Sequence, residues 1–326
     1  TNDANQLVCI ARHTVAVIDE RNRYSPEPAA VHGLLGLGHF PDGRRFCRLN
    51  AERFAPKPGR REKTGLSNES LSHLTDALRY WEDGPEAAVP WDSQSYDRSL
   101  SSGARLMRRG DWVVTLCGIV SPPWEGNRFF LDRYTYIEVW HRKCGLIIGG
   151  GNTKRQPQIA TLLMEPSNGG LDFWPRDSRI TGGGDSLGLE LTCEKFRATL
   201  SARVIDSTGL ALRVHFIETS EPQLWPNRYE CNLQLQLKPG DDIKAGNGEY
   251  SLGKEQLRLL ESQTGSSIET SLWSLQIPEG RTSLRWPFQP FFNYDVDGIG
   301  EGNTIGVLST AARIYENDLE YYLKIR

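Results

Sequence analysis

SLGLELTCEKFRATLSARV, Ser186 to Val204, alternates more cleanly than any other stretch of the chain. Leu187, Leu189, Leu191 and Cys193 point one way, with Gly188, Glu190 and Thr192 opposite; Phe196, Ala198, Leu200, Ala202 and Val204 then repeat the pattern. A period of two puts successive side chains on opposite faces of a strand, so these residues predict antiparallel strands with one face on a core and one in water.

Working outward, LRVHFIET (Leu212 to Thr219) pairs naturally with them, and Cys231, Leu233, Leu235 and Leu237 alternate with Asn232, Gln234 and Gln236. SLWSLQI, TSLRWPF, IGVLSTAARI and LEYYLKI continue the pattern to the C-terminus. KEQLRLLES (Lys254 to Ser262) has helical propensity, but this setting favours a strand. Towards the N-terminus, DWVVTLCGIV (Asp111 to Val120) is apolar on both faces and predicts a central, covered strand, and ATLLM a further short one. LVCIARHTVAVID (Leu7 to Asp19) reads as strand, LLGLGHF (Leu34 to Phe40) as a bulged strand because of Gly36 and Gly38, and RRFCRLN (Arg44 to Asn50) alternates again. APKPGRREKTG (Ala55 to Gly65) is an exposed basic loop. The one expected helix runs from Asn68 to Trp81, with Leu71, Leu74, Leu78 and Trp81 at helical spacing and Ser67 as N-cap. From Gly84 to Gly110 the composition predicts irregular surface structure.

At least ten short strands between Gly, Pro, Asn and Asp turns, with one helix and no fixed repeat, predict an all-β fold: a large antiparallel double sheet with one short helix. Strands look alike on both sides of any boundary, so 1–326 reads as one unit. Thr1 stands where a methionine is usual, which suggests part of a longer polypeptide.

With 38 basic and 41 acidic residues interspersed and a net charge of -3, bulk charge predicts neither a nucleic-acid nor another polyanion partner. No apolar run reaches the roughly 18 residues of a membrane span. Cys9, Cys47, Cys117, Cys144, Cys193 and Cys231 have no CxxC spacing, and buried free thiols are the default expectation.

DRYTYIEVWHRKCGLIIGGGNTK, Asp132 to Lys154, carries most of the candidate chemistry. It reads as a long strand closed by glycines, with Tyr134, Tyr136, Glu138, Trp140 and Arg142 on one face and Arg133, Thr135, Ile137, Val139 and His141 on the other. Aromatic rings beside charges suit a sugar polymer with acidic substituents, although cross-strand aromatic ladders also stabilise sheets without any ligand. His141 shares its face with Ile137 and Val139, which favours a core histidine.

Other chemistries find less support. Asn293, Asp295 and Asp297 before Gly298 could direct oxygens to calcium, but Thr304 stands where a bidentate Glu is expected, and an ordinary acidic turn is the favoured reading. No other cofactor is expected. The six histidines include no HxH or HxxxH pair, and there is no GxSxG elbow. What remains is acid/base work on a uronic acid, which needs a base, an acid and a group neutralising the carboxylate. The catalytic candidates are Tyr134, Tyr136, His141 and Arg142; the substrate-binding candidates are Trp140, Arg133, Asn152 and Lys154.

LDRYTYIEVWHRKCGLIIGGGNTKRQP (Leu131 to Pro157) and SLRWPFQPFFNY (Ser283 to Tyr294) resemble the C-terminal β-sandwich region of heparinase II/III-like polysaccharide lyases. The resemblance covers the last two-thirds of the chain. It implies a supersandwich of the galactose-mutarotase type, an acidic polysaccharide or oligosaccharide as partner, an N-terminal helical toroid missing from this chain, and a secreted or periplasmic setting. The activity implied is β-elimination; a non-catalytic module that binds glycan or packs on a partner domain is the alternative. An epimerase-like enzyme would need a histidine and a carboxylate facing one cleft, with His215 as candidate.

Overall fold

The alternating stretches form strands that assemble into two antiparallel sheets. The structure, a computed structural model, describes residues 37–45, 48, 75, 78–88, 92–101, 103–118, 120, 135–149, 157–165, 170–218, 228–288, 305–312 and 317–326. Its strands are β1 (Ser95–Ser101), β2 (Ala104–Arg109), β3 (Trp112–Cys117), β4 (Ile137–His141), β5 (Gly145–Ile148), β6 (Leu162–Glu165), β7 (Asp177–Gly183), β8 (Ser186–Thr192), β9 (Phe196–Val204) and β10 (Gly209–Glu218). They continue as β11 (Arg228–Leu235), β12 (Asp242–Ala245), β13 (Gly248–Ser251), β14 (Leu257–Leu259), β15 (Ser267–Glu269), β16 (Trp273–Gln276), β17 (Thr282–Phe288), β18 (Ile305–Ala312) and β19 (Asp318–Ile325).

The ten-stranded sheet runs β1-β2-β3-β4-β5-β11-β18-β17-β14, with β6 beside β11; the nine-stranded sheet runs β13-β12-β15-β16-β19-β10-β9-β8-β7. The core lies between them. Leu187, Leu189, Leu191, Phe196, Ala198, Leu200, Leu212, Val214 and Phe216 supply it from the smaller sheet, and Val114, Leu116, Ile137, Val139, Leu233, Leu235, Leu284 and Leu308 from the larger, all essentially inaccessible to water. An aromatic cluster joins the layers, with Phe216 stacked on Tyr229 at 5.3 Å and Phe196 5.9 Å from both rings. Cys144, Cys193 and Cys231 are buried free thiols, and burial pushes the Cys231 thiol up to about 12.

The two outward faces differ. On the smaller sheet Thr199, Ser201, Arg213, His215, Glu320 and Lys324 face water. On the larger sheet the outward positions Val113, Thr115, Trp140, Asn232, Gln234, Val307 and Ser309 are buried as well. Alternation therefore gives the parity of β11 correctly but not the surroundings of its polar side.

Four sequence readings need correction. The stretch from Gly84 to Gly110, expected to be irregular surface, contains β1 and β2, and Ala104, Leu106 and Met107 are buried, because composition alone does not register an edge hairpin whose outer strand is polar. The stretch from Asp132 is a hairpin rather than one long strand: β4 ends at His141, a turn through Arg142 to Cys144 follows, and Gly145, at φ +74°, starts β5. Residues 37–45 are helical, not strand, with a 3-10 turn at Leu37–His39 and helix over 41–45. Pro41 explains this, since its fixed φ and missing N–H suit a first helical turn. Lys254 to Ser262 divides into strand β14 and a short helix, Glu261–Thr264. Of the expected helix from Asn68 to Trp81, only 75, 78 and 79 are described as helical. Leu7 to Asp19 lies outside the described residues.

Candidate functional site

β4 places three of the sequence candidates. His141 turns inward: its Nε2 bonds the Ser207 carbonyl at 3.1 Å, its Nδ1 accepts from the Lys143 amide at 3.2 Å, and Trp112 packs edge-on at 4.6 Å. Tyr136 and Trp140 are buried, at 1% and 3% exposure, and belong to different clusters. Tyr136 joins the main core and its hydroxyl donates to the Phe173 carbonyl; Trp140 packs with Leu106 and Val113 on the outward side of the ten-stranded sheet. The two rings are not one exposed platform, because regular alternation begins only at Ile137. Arg142 sits in the exposed turn, 3.7 Å from the Asp111 carboxylate. Arg133, Tyr134, Asn152, Lys154, Asp295 and Asp297 lie outside the described residues. Among the described residues no group of three or more His, Cys, Asp or Glu is arranged to hold a metal.

The outward side of β11 carries a row of amides. Asn232 donates to the Ala160 carbonyl at 2.9 Å and accepts from the Ser309 hydroxyl. Gln234 donates to Thr135 at 3.2 Å and to the Ile159 carbonyl at 3.3 Å, and Gln236 donates to the Gly149 carbonyl at 2.6 Å. Buried amides persist only when bonded, so these bonds fix the backbone at Thr135, Gly149 and Ile159–Ala160 on the sheet. The Gln234 Oε1 is buried with no hydrogen-bond partner among the described residues.

Beside the amides stands a set of arginines. Arg258 and Arg285 are register partners on β14 and β17, and Arg228 at the start of β11 pairs with Glu230 at 2.6 Å. Arg285 lies over the Phe288 ring at 5.0 Å, with Ser309 Oγ 3.4 Å from its guanidinium. Burial draws Arg285 below the usual arginine range; Glu230 opposes this, while Arg258 and Arg228 add to it. Among the described residues these three guanidinium groups share the face with two carboxylates, Glu230 and Glu165, the register partner of Arg228. Guanidinium forks match carboxylate and sulfate oxygens, so this patch is equipped to hold an anion. Sequence reasoning missed it, although the signal is present: each arginine occupies the outward position of a strand, as in Leu257-Arg258-Leu259 and Leu284-Arg285-Trp286.

His215 does gain a carboxylate partner. Asp318, on the neighbouring strand, lies 3.1 Å from its Nδ1, and the same oxygen takes the Arg213 guanidinium at 3.0 Å. This pair lies on the open outward face of the nine-stranded sheet, not in a cleft. At one end of the sandwich a cavity of about 470 Å³ has Leu146, Leu272 and Trp273 among its walls. Its charges are largely matched internally, Lys244 with Glu249 and Arg326 with Glu269.

No family model and no curated protein matches the chain. Similar solved structures include a heparinase III gene product, 16% identical over 78% of this chain and 38% of that one, with TM-score 0.43. A mutant of the heparan sulfate lyase HepC from Pedobacter heparinus is 13% identical over 88% of this chain and 42% of its own, with TM-score 0.42. The GalM/aldose epimerase homologue from C. elegans is 7% identical over 71% of this chain and 98% of its own, with TM-score 0.28. The chain spans less than half the length of each of the first two.

Proposed function

We propose that this chain is a carbohydrate-associated β-sandwich that holds an acidic glycan at the arginine patch of β11, β14 and β17 on its ten-stranded sheet. The observation that carries the reading is the arginine set Arg228, Arg258 and Arg285, which among the described residues outnumbers the carboxylates beside it, Glu230 and Glu165. A uronate or sulfate placed there meets an excess of positive charge at the exposed Arg228 and Arg258. In a β-elimination the same guanidinium groups would neutralise the uronate carboxylate, which acidifies the neighbouring C–H. The described outward positions around them, Asn232, Gln234, Ser283, Val307 and Ser309, include no tyrosine or histidine. An eliminating base and acid would therefore come from other residues or another domain, and without them the face serves as a glycan anchor.

Affinity electrophoresis in polygalacturonate, with neutral dextran as control, tests this reading. Each lost charge-assisted pair is worth roughly 1.5–3 kcal/mol, so Arg258→Gln with Arg285→Gln should weaken retention by about tenfold or more and leave dextran mobility unchanged. Equal retention of the variant and the parent chain rejects the anion-binding face. The absorbance of an unsaturated uronate product separates the two forms: its rise assigns elimination, and binding without a rise assigns the anchor.

A further inference from the structure

A second built feature lies outside the two sheets, between residues 37–45 and 78–88. Arg44, only 6% exposed, clamps the two segments together. Its Nη1 donates to the carbonyls of Gly38 at 3.0 Å and His39 at 3.3 Å, and its Nε and Nη2 donate to the Pro85 carbonyl at 3.1 and 2.8 Å. The Ala87 amide bonds the Pro41 carbonyl at 3.0 Å, and the Trp81 ring lies so close on Gly38 that a Cβ there would stand 2.3 Å from Cε3. His39 Nδ1 meets Glu82 Oε1 at 2.6 Å, and Phe40 packs edge-on to His39 at 5.2 Å.

This frame surrounds an open hollow of about 490 Å³ lined by His39, Phe40, Arg79, Tyr80, Trp81 and Glu82. Phe40 and Tyr80 are each 56% exposed, although the backbone carrying them is tied down. Large apolar rings held in water by a fixed frame are placed for contact rather than for packing. Arg79 is exposed and has no ion pair among the described residues. Aromatic rings pack against the C–H face of a sugar, a free guanidinium receives a carboxylate, and a His–Glu pair offers a donor and an acceptor to ring hydroxyls.

We propose that this hollow binds one uronate ring of an acidic glycan, with Phe40 and Tyr80 against its apolar face and Arg79 on its carboxylate. The choice of ligand rests on the acidic-glycan reading above. The geometry supports it: His39 Nδ1 holds the Glu82 carboxylate, and Arg79 is the one guanidinium among the lining residues.

Isothermal titration with tetragalacturonate and with its methyl ester, which keeps the rings and removes the charge, provides the test. Tyr80→Ala and Phe40→Ala should each weaken both ligands by about tenfold, whereas Arg79→Gln should weaken only the acid and bring the two affinities together. Matching thermal melts confirm that these surface changes leave the chain folded. If tetragalacturonate binds the parent chain and only Arg258→Gln and Arg285→Gln weaken it, the hollow is not a site although the sheet-face reading stands. If the parent chain binds neither ligand, the glycan reading fails and this inference with it.

Discussion

His141 shows how one buried side chain couples the core to pH. Its Nδ1 accepts the Lys143 amide and its Nε2 bonds the Ser207 carbonyl, so the neutral ring satisfies both neighbours, and a second proton would remove the acceptor. Burial draws its pKa below the ordinary imidazole value; the Ser207 bond and Asp111 oppose that, and Lys143 adds to it. In the unfolded chain the ring titrates near about 6.5. Because the folded value is lower, the unfolded chain binds protons first, and stability falls as pH drops through the unfolded value towards the folded one. His141→Gln should cost about 1–2 kcal/mol at pH 7.5 through lost hydrogen bonds, yet lose less further stability than the parent between pH 7.5 and 5.5. Urea melts at the two pH values measure this; an equal fall in both proteins would assign the titration to another group.

Among elements, the β4–β5 hairpin marks where sequence reading stopped working. Period two placed Ile137, Val139 and His141 on one face, and all three lie inward, since β-branched residues on a covered strand leave little freedom of register. It did not carry past His141, because the turn into Gly145 and the register shift between Val139 and Trp140 reset the phase. Nor does alternation separate an outward side that faces water from one that is covered, which is why Trp140 read as a substrate-binding candidate. The pairing of Gln236 with Gly149, 87 residues apart, has no local signal at all. Gly149 itself has φ +118°, and a Cβ there would stand 2.7 Å from Glu138 Cγ and 3.1 Å from Glu138 Cα. Gly149→Ala should therefore cost about 2–4 kcal/mol, combining strain at a glycine-only conformation with a backbone clash. Gly183→Ala, where a Cβ meets nothing within 4 Å, should change stability by roughly 0.5 kcal/mol or less. Similar denaturation midpoints for the two variants would show that the β5 exit relaxes around a side chain.

For the whole molecule, sheet order rather than strand content governs cooperativity. Composition and alternation reveal many strands and two layers, but not that the last strand is central: β19 lies between β16 and β10, more than 100 residues from its partner on β10. Leu319, Tyr321, Leu323 and Ile325 are each at most 4% exposed, and burial of such side chains contributes roughly 1.5–3 kcal/mol apiece. Four of them approach the roughly 5–15 kcal/mol that holds a whole domain folded. Removing 318–326 would also leave β10 and β16 with unpaired edges inside the sheet and release Arg213 and His215 from Asp318. By contrast β1 is an edge strand, and its Tyr96 is only half-buried. A chain lacking 318–326 should thus lose its cooperative unfolding transition. One in which Tyr96 is replaced by Ser should keep the transition with a modestly lower midpoint. Calorimetry distinguishes the two, and a sharp transition in the truncated chain would mean that the nine-stranded sheet closes without its central strand.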